Sequence, residues 1–447
     1  MNQSKNKQYL ISILKIAVPI MLGNIINQVQ MLVDKAFLGH VNDMYLSALG
    51  NVSTLLWTSM SVCFSLSMGA SILISQNVGA GKSEETQEYA AATMKWANLL
   101  PFLIFLFWTF LGKYVLMAMG LSQTILPMCE EYMKYYAPIF LVVGLESSTM
   151  VIMQTSNYTK PMAFYGIVRA GLNVILDYIM IFGKFGCPAM GIKGAAIATA
   201  ISEYAGVVYA FFIFSTSKKL FTRPKWSYVW RAKFMPYFHT LKLGVNSALE
   251  DFAWNFGNLM MIRILNAISE KAAGIYSIVF SVELLVVVIV GAIGNATMIL
   301  SGEAYGAKDR YKYKHVCMIA YSLTVCCALV TLGICLAVPE QIVRTFTNDA
   351  TIIPMCCGYL ILMCINLYGK SANIIIGNGI RGSGDTRWMF FTQIFGTFFV
   401  IGCALLFVFV FHLGIAGVFL AVIADEIVRA CINLWHFSGI ARKLETA

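Results

Sequence analysis

Charge is what this sequence has least of. Only 12% of its 447 residues are Asp, Glu, Lys or Arg, against 59% hydrophobic, which is too little polar surface for a soluble globule. Histidine is scarcer still: His40, His239, His315, His412 and His436 form no H-x-x-x-H or Cys/His spacing, so metal-dependent chemistry has no support. The twelve cysteines make no C-x-x-C pair and lie in apolar runs or side by side, as in Cys326 with Cys327 and Cys356 with Cys357. They read as free thiols of small apolar residues rather than as a disulfide framework. No nucleophile or metal constellation appears, which argues against an enzyme. A small-residue cleavage site is also missing after the polar opening, so the N-terminus is expected to be retained and not a signal peptide.

What is present is apolar and periodic. Runs of roughly 18 to 25 apolar residues recur about twelve times, each long enough to cross a hydrocarbon core of about 30 Å. The expectation is an all-α membrane protein with twelve transmembrane helices. About two-thirds of the Lys and Arg fall in segments on the side of the N-terminus, so both termini are expected to be cytoplasmic. The richest segment is "TSKKLFTRPKWSYVWRAKF", residues 216–234, between the sixth and seventh spans. Topology and anionic membrane lipids account for the net charge of +10, without invoking nucleic acid.

The sequence repeats itself. "ISQNVGAGKSEE" from Ile74 matches "LSGEAYGAKDRY" from Leu300; "YTKPMAF" matches "DTRWMFF"; and "MGIKGAAIATAISE" from Met190 matches "LGIAGVFLAVIADE" from Leu413. All three recur in the same order at nearly half the chain length. Six spans per repeat is an even number, so both halves enter the membrane in the same direction. That arrangement is two parallel six-helix lobes related by a pseudo-two-fold axis along the membrane normal, residues 1–225 and 226–447.

Polar residues inside the spans mark where function should sit. Asp177 in "RAGLNVILDYIMIFG" lies at the centre of a spanning helix, where a charge costs about 2.5 to 3.5 kcal/mol. It shares one face with Asn173 and Arg169 at i, i+4, i+8 spacing. Asn24, Asn27, Gln28 and Asp34 of the first span fall within about a third of the helix circumference, leaving the lipid face apolar. The asparagines suit interhelical hydrogen bonding. A buried carboxylate needs a cation, a proton or a base beside it.

The order of motifs resembles the multidrug and toxic compound extrusion (MATE) family. The segments that carry the likeness are "VPIMLGNIINQVQMLVDKAFLGH", "ISQNVGAGK", "LNVILDYIMIFGKFG" with "GIKGAAIATAIS", and "GNGIRGSGDTR". The resemblance implies an exporter, monomeric and in the cell inner (plasma) membrane, that exchanges protons or sodium for organic, often cationic, amphipathic compounds. It uses no organic cofactor. It also implies that Asp34, Asn173, Asp177 and Thr199 form an all-oxygen cation-coupling site for a proton or a sodium ion. Glu250 and Asp251 in the seventh span, with Asn27 and Gln28, are the expected substrate-binding or second acidic site, Asp251 matching best by its distance from Trp254.

Two residues depart from the family pattern: Lys35 directly follows Asp34, and Glu203 is expected at the interfacial end of the sixth span. Glu146, Glu283, Lys370 and Arg429 are further intramembrane candidates, while Asp425, Glu426 and Arg429 suggest a local i, i+3/i+4 salt bridge. Counting one repeat on from Asp34 and Asp177 reaches Met261 and Ala404, so coupling is expected in the N-terminal lobe alone. A lipid-linked precursor flippase of related architecture is the competing reading. It would need several buried Arg or Lys to hold pyrophosphate.

Overall fold

A computed structural model describes residues 2–446, and among these there is no strand. The helices are α1 (Asn2–Val41), α2 (Asp43–Gly79), α3 (Ser83–Trp96), α4 (Leu99–Ala118), α5 (Leu126–Tyr136), α6 (Phe140–Thr155), α7 (Lys160–Phe182) and α8 (Gly191–Thr216). After these come α9 (Trp226–Arg231), α10 (Phe234–Ile268), α11 (Glu270–Gly306), α12 (Arg310–Ala337), α13 (Pro339–Arg344), α14 (Ile353–Gly382), α15 (Thr386–Leu405) and α16 (Gly414–Thr446).

Local chemistry sets the ends. Pro161 opens α7, in the first turn where a missing N–H costs nothing, and Gly183 closes it at φ 68°, the left-handed conformation that glycine adopts freely. Ser269, Asp309 and Asp385 cap α11, α12 and α15 by accepting from backbone N–H groups of the first turn. Between α3 and α4 the helix breaks at Ala97 and Asn98, because Pro101 has no N–H for the carbonyl four residues back. The Asn98 amide then braces α6, donating to the Leu141 carbonyl at 2.6 Å and accepting from the Gly144 N–H at 3.0 Å.

Ten helical stretches among the described residues are long and apolar enough to cross a membrane, α3 with α4 and α5 with α6 each counting as one. Two more, α10 and α16, are long enough but more polar. Asp425, Glu426 and Arg429 fall within a few turns of α16, and Glu250 and Asp251 within α10. Large apolar side chains remain on the outside, among them Phe110 at 69%, Phe252 at 68% and Trp435 at 70% exposure. Such a surface belongs in lipid. The chain is a multi-pass membrane protein.

The helices pack as two compact units. The N unit comprises residues 18–74 and 82–244, and the C unit residues 1–17, 75–81 and 245–447. In the N unit, α7 lies along α8 and α5 against α8, around a core that includes Leu38, Val52, Leu56, Phe140 and Val143. In the C unit, α11, α14 and α16 pack together around Leu265, Val279, Leu360, Val418 and Ala421. Met261 and Ala404 lie in this apolar core, both nearly fully buried. The ends of α2 and α11 also meet in the C unit. A Cβ on Gly79 would fall 1.9 Å from the Glu303 carbonyl oxygen, and one on Gly306 would fall 1.9 Å from that of Gln76. Only glycine fits at either position.

Candidate functional site

The polar residues of the N unit meet because α1 and α7 approach closely. A Cβ on Gly166 would lie 3.1 Å from the Gly23 Cα, so the two helices nearly touch one turn from Asn27 and Arg169. Further along, Asn173 and Asp177 are fully buried. The carboxyls of Asp34 and Asp177 stand side by side, close enough to interact directly, an arrangement that needs a proton or a cation between two acids. With its amide nitrogen turned towards them, Asn173 lies 3.0 Å from Asp34 Oδ1 and 3.3 Å from Asp177 Oδ2. Thr199 Oγ1 stands 3.4 Å from the other arm of that amide. All four residues expected at a coupling site are therefore in one place.

Gln30 joins them, 5% exposed and 2.8 Å from the same amide. It lies about 40° from Asp34 around α1, so the helical stripe contained the signal. Gln28 projects about 120° from Asp34 and is half-buried outside the set. Lys35 is exposed, pointing away from the acids.

A second cluster lies alongside. Arg169 pairs with Glu203, Nη1 to Oε2 at 2.7 Å, and its Nη2 donates to Asn27 Oδ1. The Tyr165 hydroxyl is 2.6 Å from Glu203 Oε1 and 2.7 Å from Glu146 Oε1. A hydroxyl has one hydrogen to donate, so the second contact draws on a proton carried by a carboxyl. Glu203 was expected at the interface; it is instead 4% exposed and held by a cation and a phenol. The helix pattern could not show this, because its partners come from α7.

The C unit lacks acids at the repeat positions yet holds a buried charge network of its own. Glu283 accepts from Lys370 Nζ and from Asn366 Nδ2, both at 2.7 Å. Arg429 Nη2 lies 2.7 Å from Asp425 and 3.2 Å from Glu426, so the expected local bridge is present. It extends further: Lys370 reaches Glu426 at 3.9 Å, Asn373 donates to Glu426 at 2.7 Å, and Arg429 donates to Gln393 at 2.8 Å. Three acids thus face two bases. Beside them opens a small cleft of about 50 Å³ walled by Trp254, Tyr276, Phe280, Lys370, Asp425 and Arg429.

Glu250 and Asp251 are not among the residues that line this cleft. Glu250 pairs with Arg381 of α14, a half-buried cation absent from the sequence expectations, and Asp251 lies within electrostatic range of the same guanidinium.

The MatE family model matches residues 19–179 and 247–421, three-quarters of the chain, with Asp34, Glu146, Arg169, Asn173 and Asp177 inside the match and Thr199 and Glu203 outside it. The chain belongs to the MatE family. Proteins of this family are transporters and not enzymes. A similar relative is the probable multidrug resistance protein NorM of Thermotoga maritima, 28% identical over 95% of this chain and 91% of that protein. The uncharacterized transporter YisQ of Bacillus subtilis is 25% identical over 91% of each chain. Among solved structures, an outward-facing multidrug resistance MATE transporter of the MOP superfamily superposes with a TM-score of 0.89 at 17% identity, over 98% of this chain and 96% of that one. A MATE protein in complex with MaD3S superposes with a TM-score of 0.88 at 17% identity, over 98% and 97%. These superpositions give the MatE transporter its fold.

Proposed function

We propose that this MatE transporter exports organic, cationic, amphipathic compounds in exchange for a proton or a sodium ion, by alternating access between two parallel six-helix lobes, residues 1–225 and 226–447. In this reading it is a monomer of the plasma membrane with twelve spans and both termini cytoplasmic, and its cycle uses no organic cofactor. The observation that carries the reading is the paired Asp34 and Asp177, gathered around one buried Asn173 amide with Thr199 beside it. Such a pair holds one monovalent cation or proton well and none badly, so its occupancy can change with the side it faces. The names of the relatives, multidrug resistance proteins, support the substrate class.

Glu250 and Asp251 supply the second acidic point of the cycle. Arg381 neutralises one of the two, leaving a single net charge for an organic monocation. Asn27 is occupied by Arg169, and Gln28 stays as a polar contact for the substrate. Reciprocal linkage then requires that cation loading and substrate binding change one another's affinity by the same factor. The flippase alternative is disfavoured by a specific feature. Arg169, Lys370, Arg381 and Arg429 each already face a carboxylate, so a pyrophosphate would have to displace one.

Dye efflux from proteoliposomes under a proton gradient or a sodium gradient, imposed separately, tests the reading. Export should follow one of them and vanish in Asp34→Asn and Asp177→Asn. Gradient-driven efflux by both variants at the wild-type rate would reject the site.

A further inference from the structure

The segment between α8 and α10 takes no part in the cycle proposed above. Residues 216–234 contain six basic residues and no acid. One side of the segment is bolted to the N unit. Thr222, fully buried, donates to the Ile152 carbonyl and shares its hydroxyl with Thr155 at 3.0 Å and Ser156 at 2.6 Å. Arg223 covers the open carbonyls of Phe214 and Ser215 at the end of α8, at 2.9 and 2.7 Å. Lys95 of α3 donates to the carbonyls of Trp230 at 2.9 Å and Ala232 at 3.1 Å.

With that side fixed, the fold also fixes what points outward. Lys218, Lys219, Lys225, Arg231 and Lys233 are exposed. Interleaved with them stand Phe221 at 56%, Trp226 at 51%, Trp230 at 80% and Phe234 at 41% exposure. Trp226 and Trp230 are four residues apart on α9, so both indoles leave the same face. Indoles this exposed are misplaced in water but well placed at the level of lipid headgroups, where an apolar ring and a polar N–H are both accommodated. Five cations at that level meet the phosphodiesters of acidic lipids. A soluble phosphate would use the cations and leave the four rings wet, so charge and apolar surface together select the lipid.

We propose that residues 218–234 form a binding surface for the headgroups of acidic phospholipids, with the basic side chains on the phosphates and Trp226 and Trp230 seated at the acyl boundary. The surface is independent of the coupling ion and of the exported compound. The test uses the full chain in phosphatidylcholine vesicles containing an equal mole fraction of either brominated phosphatidylglycerol or brominated phosphatidylcholine, bromine quenching indole fluorescence on contact. The signal of interest is the part lost in the Trp226→Phe/Trp230→Phe variant. Its quenching should be several-fold stronger with the brominated acidic lipid. Replacing the five exposed basic residues by Gln should abolish that preference, and the pair Lys225→Gln/Arg231→Gln, a milder change, should reduce it. Added inorganic phosphate should leave the preference intact. Equal quenching by the two lipids, a preference that survives the Gln variants, or competition by inorganic phosphate would each overturn the proposal.

Discussion

Arg169→Met removes the one cation from a buried cluster that contains Glu203, Glu146 and the Tyr165 hydroxyl between them. Glu203 retains about 5% side-chain exposure and Arg169 about 15%, so water can replace little of what is lost. Breaking a buried pair on one side costs about 3–5 kcal/mol, because a charge is left uncompensated. The partial exposure of the guanidinium places the expected cost near the lower end, at about 3 kcal/mol. The Asn27 amide loses its donor at the same time. For a unit of roughly 200 residues each kcal/mol lowers the melting point by about 2–4 °C, so a drop of about 6–12 °C is expected in detergent, followed by the reaction of a thiol dye with cysteines uncovered on unfolding. Arg169→Met/Glu203→Gln removes both charges and should recover more than half of the loss. If the double variant melts as low as Arg169→Met alone, the uncompensated carboxylate is not the cause and the argument fails.

Lys370→Met should act in the C unit as Arg169→Met does in the N unit, costing about 3 kcal/mol by leaving Glu283 and Glu426 without their shared cation; Lys370→Met/Glu283→Gln should recover part of that melting loss. Gly306→Val should lower the melting point markedly, since the new side chain meets the Gln76 backbone and no rotamer avoids it, whereas Gly274→Val, with open space around the Cβ, should melt much closer to wild type. Thr222→Val should cost about 0.5–1.5 kcal/mol, measured by thermal melting, by removing the buried hydroxyl that donates to the Ile152 carbonyl and contacts Thr155 and Ser156, which keep main-chain partners of their own. Asn173→Ala should slow dye efflux less than Asp177→Asn, because a water can replace a neutral amide.

How much of this was legible beforehand depends on where each residue finds its partners. Asp177 was conspicuous because an acid inside an apolar run is costly wherever it points, and Asn173 shares its face at helical spacing. Gln30 lay in the same stripe as Asp34 and was passed over in favour of Gln28, which points elsewhere. Glu203 looked interfacial, since nothing on α8 reveals that Arg169 and Tyr165 reach it from α7. Arg381 went unnoticed for a related reason: it sits near the end of α14, where basic residues are ordinary, and only packing brings Glu250 to it. The helices themselves were readable from length and hydropathy, α10 and α16 included, although both are more polar than the other spans. Their charges, Glu250 and Asp251 in the one and Asp425, Glu426 and Arg429 in the other, lower the apolar signal that identifies a span.

The meeting of Gly79 with Glu303 and of Gly306 with Gln76 brings main chain against main chain. Side-chain contacts yield under load, because rotamers can turn and methyl groups can slip past one another. Bare backbone has no such compliance. Where these helix ends meet, no side chain stands between them to turn aside, so the joint resists compression as steeply as the backbone itself.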